Sequence, residues 1–109
     1  MKRGDVVVVA ATGQYGKPRP AVVVQTSAFP ETHPSVVICQ MTSDVIDAPD
    51  FRVTIEPNEE NGLCARSQVM ADKPVTVRRA RIGQLIGRLT DADMGRLNIA
   101  LAFVMGLAD

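Results

Sequence analysis

Tryptophan is absent from this 109-residue chain, and only four aromatic residues occur, Tyr15, Phe29, Phe51 and Phe103. A core must therefore be aliphatic, built from Val, Ile, Leu and Met. There is one histidine, His33, and two cysteines, Cys39 and Cys64, far apart and in no Cys-x-x-Cys spacing. That inventory rules out a metal centre and implies no cofactor of that kind. A Cys–His nucleophile pair fits poorly as well. Cys39 follows Val36-Val37-Ile38 and reads as a small core residue, and buried thiols are inert. No glycine-rich phosphate loop or dinucleotide fingerprint is present. No sign of charge predominates: 12 basic residues balance 12 acidic ones. A protein that coats nucleic acid is basic overall, so that class is disfavoured, whereas an enzyme with one local basic cleft is not. Long hydrophobic runs are missing too. The first apolar run, from Val6, is too short for a signal-peptide core, and no segment has the length of a membrane span. The expected compartment is the cytoplasm, with no membrane partner.

The apolar fraction is 46% and the mean hydropathy is slightly positive, at +0.07. Both imply a folded chain. The length suits one domain, 1–109, large enough to bury a core without disulfide or metal. No repeat, low-complexity stretch or linker interrupts it.

Short β-branched runs dominate. Strands are expected at Val6–Ala10, Pro20–Thr26, Ser35–Thr42, Phe51–Glu56, Ser67–Ala71 and Gln84–Leu89. The fourth alternates, with Phe51, Val53 and Ile55 on one face. Residues 11–17 form a loop, a candidate mobile flap. Loops also cover 27–34 and 43–50, and Asn61-Gly62 signals a tight turn. The arginine-rich segment 77–82 reads as a helical turn after a short strand. Thr90 and Asp93 have N-cap spacing, and Met94, Leu97, Leu101, Val104 and Met105 recur on one face of the helix that follows. Gly106 ends it. Many short strands and one terminal helix imply a mainly β fold, a strongly bent antiparallel sheet or barrel packed on that helix.

The most telling segment is Gly16-Lys17-Pro18-Arg19-Pro20-Ala21-Val22-Val23-Val24. Two prolines fix the backbone around Arg19, so its guanidinium leaves the loop in a defined direction as a strand begins. Such a fork suits a phosphate. On these residues alone a solvated arginine at a strand start remains open, as does simple turn formation by Thr42 and Ser43.

This element resembles the MazF/PemK family of bacterial toxins, the ribonuclease partners of toxin–antitoxin pairs. The resemblance continues through Arg3-Gly4-Asp5-Val6-Val7, Met41-Thr42-Ser43, Phe51 to Pro57, Asn61-Gly62-Leu63, Ser67 to Lys73, and Ile82 to Leu89 with the final helix. It thus spans nearly the whole chain. It implies an SH3-like (CcdB/PemK-type) barrel, a homodimer, and metal-independent cleavage of single-stranded RNA to a 2′,3′-cyclic phosphate and a 5′-hydroxyl. It implies Arg19 and Thr42 as the catalytic pair, with Gln14, Tyr15, Lys17, Ser43 and Gln68 on the substrate. It also implies an antitoxin whose flexible acidic segment covers the RNA groove.

The chemistry suits those residues. RNA carries its own nucleophile, the 2′-OH, so the enzyme needs only to align it and neutralise the phosphorane-like transition state. A two-histidine mechanism is ruled out by count. Tyr15 and Phe29 are the aromatics placed to stack on bases, though loop packing would equally account for them. Many relatives carry Ser-Glu-Gln before the arginine. Here the loop reads Thr12-Gly13-Gln14-Tyr15-Gly16, without the acid. Ser67 likewise stands where many relatives have an acidic residue before Gln68, which bears on substrate preference. Arg78, Arg79 and Arg81 would join Lys17 and Arg19 as positive charge for the antitoxin, or form a solvated turn.

Two other readings compete. The stretch Met41 to Pro49 has some likeness to gyrase-directed toxins of the CcdB type. Those present a C-terminal tryptophan, which this chain lacks, and the Arg19-Pro20 element favours the ribonuclease. The third reading is a transcriptional or scaffold protein that has kept the barrel and lost activity.

Overall fold

Val6 to Val9 and Ala21 to Val23 are continuous apolar runs, and continuous runs belong in strands buried on both faces. The computed structural model, which describes residues 1–10 and 18–109, bears this out. Its elements are β1 (Asp5–Val9), β2 (Arg19–Val23), β3 (Ser35–Thr42), β4 (Arg52–Ile55), β5 (Ser67–Arg78), a 3-10 turn (Arg79–Arg81), β6 (Ile82–Arg88) and α1 (Asp91–Val104). All six strands join one antiparallel sheet in the order β4-β5-β3-β2-β1-β6. The flap expected at residues 11–17 lies outside the described residues.

The strand order forces curvature. On a flat sheet, β6 would lie four strand spacings from β5, about 19 Å at the usual ~4.8 Å. The 3-10 turn of three residues joins them. Its four Cα steps from Arg78 to Ile82 reach only about 14 Å even fully extended. The sheet therefore curls, as the expected barrel requires, although its ladder does not pair β4 with β6. A break in register contributes: Cys39 faces Pro74 and Met41 faces Val69, so residues 70–73 bulge opposite Gln40.

Alternation along the strands splits the interior in two. Val6, Val22, Cys39, Met41, Val53, Ile55 and Val69 pack with Met94, Leu97 and Leu101 of α1. Val7, Val9, Ala21, Val23, Val36 and Ile38 form a second cluster on the other face. The core is aliphatic, as the composition requires. Thr90 caps α1, its hydroxyl accepting from the Asp93 amide at 3.1 Å, and Gly106 ends the helix at φ +69°. The expected stripe needs one change. Met105 is 62% exposed, and Ala100 takes an inward position instead.

Strand limits differ where local chemistry intervenes. β2 stops at Val23 because the amides of Val24 and Gln25 both turn to the Val37 carbonyl. β5 continues past Ala71 to Arg78, since Pro74 sits just beyond the bulge and the ladder resumes there. The arginine-rich turn is a 3-10 turn, as expected.

Two glycines show opposite constraints. Gly62 has φ +68°, and a Cβ there would run into the Ile86 carbonyl. Gly95, exposed on α1, faces open space. Denaturant melts should show Gly62→Ala losing about 3 kcal/mol or more, from strain plus overpacking. Gly95→Ala should gain up to about 1 kcal/mol of helix propensity.

Candidate active site

Arg19 opens β2 opposite Val9 of β1. On its other side, β2 pairs with β3 as Ala21↔Gln40 and Val22↔Cys39. Continuing that register by two residues sets Arg19 across from Thr42, the last residue of β3. Directly opposed residues of an antiparallel pair share a face. The proline clamp and the ladder together thus bring the two candidate catalytic residues to one end of the sheet.

They line the same groove, of about 290 Å³. Pro18, Arg19 and Pro20 form one side. Met41, Thr42 and Ser43 form a second side, Gly62, Leu63, Cys64 and Ala65 the far wall, and Val8, Ser67 and Ile86 complete the lining. Arg19 and Ser43 are exposed and Thr42 is half-buried. Arg19 takes part in none of the ion pairs among the described residues. Its five N–H donors are therefore not engaged by a carboxylate.

The Thr42 hydroxyl has a defined role. Its Oγ1 accepts the Asp44 amide at 3.1 Å. The residue does form the turn after its strand, and that turn leaves its single O–H hydrogen free to donate. Turn formation and phosphate binding are thus compatible in one side chain.

The far wall rests on a residue that sequence reading missed. Asn61 is completely buried. Its Oδ1 accepts from Asn58 and Leu63, and its Nδ2 donates to the Glu56 carbonyl. The Asn61-Gly62 turn was legible, but the burial was not. Gly87 lies flat against the Asn61 peptide, so the turn sits directly on β6.

Other expected site residues divide. Gln14, Tyr15 and Lys17 lie outside the described residues. Gln68 is only 3% exposed and does not line the groove, its amide spent on Ile46 and Thr54. Ser67, its neighbour, lines the groove instead. Phe29 stacks on His33 with ring centroids 4.6 Å apart, away from Arg19. Of the arginine cluster, Arg79 bonds Glu31 and the His33 carbonyl, and none of the three lines the groove.

Known proteins resemble this chain over nearly its whole length. The family of PemK-like, MazF-like toxins of type II toxin–antitoxin systems matches residues 2–105. The chain belongs to that family. It is 42% identical over 109 residues to the probable endoribonuclease MazF of Mycolicibacterium smegmatis, covering 99% of each chain. A solved mycobacterial endoribonuclease in complex with its cognate antitoxin superposes with a TM-score of 0.82 at 26% identity, over 98% of this chain and 96% of that one. The Mycobacterium tuberculosis toxin MazF-mt6 shares the fold at a TM-score of 0.81 and 20% identity, over 94% and 96% of the two chains. The gyrase-directed reading is not favoured by these matches.

The two cysteines of this PemK/MazF-family chain should behave oppositely. Burial first, and the nearby Asp72 carboxylate second, push the Cys39 thiol up to about 11. Cys64 is exposed at the groove wall. A disulfide reagent at pH 8 should titrate one thiol per native chain and two in denaturant. Cys39 also implies a pH dependence. Its pKa is raised on folding, so its contribution is intact below about pH 9 and falls as pH rises towards 11.

Proposed function

We propose that this toxin is a metal-independent, sequence-selective endoribonuclease acting on single-stranded RNA. The observation that carries the reading is Arg19 and Thr42 lining one groove, with no carboxylate paired to Arg19. The 2′-oxygen attacks the adjacent phosphorus and the bond to the 5′-oxygen breaks. The products are a 2′,3′-cyclic phosphate and a 5′-hydroxyl. The 2′-hydroxyl loses a proton and the leaving oxygen gains one. Arg19 donates to the non-bridging oxygens as charge builds on them, and Thr42 adds its free hydroxyl hydrogen. Among the described residues no cluster of three His, Cys, Asp or Glu side chains is arranged to hold a metal ion. In the proposed scheme the guanidinium meets the developing charge.

Cleavage should therefore persist in EDTA. Arg19→Ala should slow it by roughly a hundredfold or more, and Arg19→Lys should restore only part, because a point charge does not replace a fork. Thr42→Ala should impair cleavage while leaving the thermal melt nearly unchanged. Undiminished activity in Arg19→Ala would sink the assignment.

The partners follow from the family and the surface. A relative is solved with its cognate antitoxin. For this chain the corresponding partner is an antitoxin whose flexible acidic segment covers the Arg19 groove. Folding of that segment on contact lets it exclude RNA without a deep pocket. No helix among the described residues is long and apolar enough to cross a membrane, and the proposed setting is the cytoplasm. Ile99, Phe103, Met105 and Leu107 are all more than half exposed on and just after α1. Such a stripe is best covered by a second copy, giving a two-fold homodimer. Light scattering at micromolar concentration should return twice the chain mass, and a monomer mass would count against the dimer.

A further inference from the structure

Resting on the ribonuclease reading above, we propose that Gln68 is a positioning residue for the Thr42 hydroxyl. Gln68 stands directly across from Thr42 in the β3–β5 ladder. Its carboxamide meets both polar groups of one residue. The Ile46 amide donates to Oε1 at 3.1 Å, and Nε2 donates to the Ile46 carbonyl at 2.9 Å. The second Nε2 hydrogen goes to Thr54 Oγ1 at 3.2 Å. With both donors spent, Gln68 has none left for a base edge.

The loop needs such an anchor. Val45 and Ile46 are 44% and 47% exposed, so burial of their side chains does not hold the segment. Among the described residues, its hydrogen bonds between Thr42 and Asp47 are the Gln68–Ile46 pairing and the Asp44 amide on Thr42 Oγ1. These act in series. Fixing Ile46 restricts where the Asp44 amide lies two residues earlier. That amide occupies one face of the Thr42 oxygen and so decides where the remaining O–H hydrogen points. Catalysis is sensitive to errors of this size in a donor. Gln68 touches no substrate in this scheme.

Two variants and one activity-independent readout test the proposal. Gln68→Leu removes all three bonds. Gln68→Glu keeps an acceptor for the Ile46 amide, and Thr54 can turn its own hydroxyl hydrogen to the carboxylate, but the Ile46 carbonyl then faces a carboxylate oxygen with no proton between them. Once protonated, the introduced carboxyl regains one donor and mimics the amide. Of the charged groups that line the same cavity as Gln68, Arg52, Arg66 and Arg96 are each paired with a carboxylate of their own, and Asp47 is itself acidic. Burial therefore raises the pKa of the introduced carboxyl above the ordinary ~4.3, so the restored state lies at low pH and is lost as pH rises. With a fluorogenic single-stranded oligoribonucleotide carrying a mapped cut site, both variants should lose roughly tenfold or more in kcat with KM little changed. Relative to wild type, Gln68→Glu should recover between about pH 7 and 5, and Gln68→Leu should not. Amide exchange at Asp44 and Ile46 should quicken in both.

Wild-type kcat in folded Gln68→Leu overturns the proposal. So does a raised KM at unchanged kcat, which would make Gln68 a substrate contact. If Gln68→Leu does not fold, a Gln68→Glu profile parallel to wild type overturns it alone. Failure of the wild-type protein to cleave RNA instead overturns the ribonuclease reading, and unaltered Asp44 exchange then overturns the clamp independently.

Discussion

The pairing of β2 on β3 is held in register by burial on both of its faces. Val22 belongs to the cluster under α1, while Ala21 and Val23 belong to the opposite one. A slip of one residue would move every side chain to the wrong face and leave both clusters mispacked. That penalty falls on residues with no chemistry, yet it determines which strand ends meet. Arg19 reaches Thr42 because three aliphatic residues further along allow no other register. The two prolines add only the local direction, since a rigid dipeptide in a slipped strand would aim the guanidinium elsewhere.

The same logic explains what could be read from the chain beforehand. Alternation and β-branching depend on local burial, so the six strands, the capped helix and the aliphatic core were legible. The flanking prolines marked Arg19 and the strand end marked Thr42, while the choice of these two and Ser43 as site residues came from the family resemblance. Gln68 was not. Its residue type is equally suited to a base edge or to a peptide group, and only the approach of the 43–50 loop to β5 selects the peptide. Met105 failed for a related reason. Helical periodicity predicts a stripe but not where the sheet beneath it ends, and the buried residues of α1 stop at Leu101.

The groove's far wall shows how backbone contacts escape sequence patterning. Asn61 is a polar residue in an acidic turn, a composition that reads as solvent-facing. It is nonetheless completely buried, because its amide satisfies three backbone groups that would otherwise be unpaired inside the turn. Gly62 and Gly87 remove the side chains that would separate this turn from β6. Leu63, Cys64 and Ala65 are thereby set opposite Arg19, although none of them carries a recognisable motif.

Charge distribution completes the account. Net neutrality conflicts with the proposed phosphate-binding groove only if charges are counted rather than located. Arg52, Arg66, Arg79, Arg88 and Arg96 each meet a carboxylate, and Arg3 donates to the Val24 carbonyl. Acidic residues thus cancel basic ones where they hold strands and turns together, as Asp5 does for Arg88 and Asp72 for Arg52. Among the described residues, the groove itself is lined by no acidic side chain. Among the described residues, no carboxylate lining the groove offsets Arg19, so the proposed function needs no overall basic charge. A neutral surface also limits non-specific attraction to nucleic acid, and in the proposed function selection of RNA falls to the groove rather than to the protein's overall field.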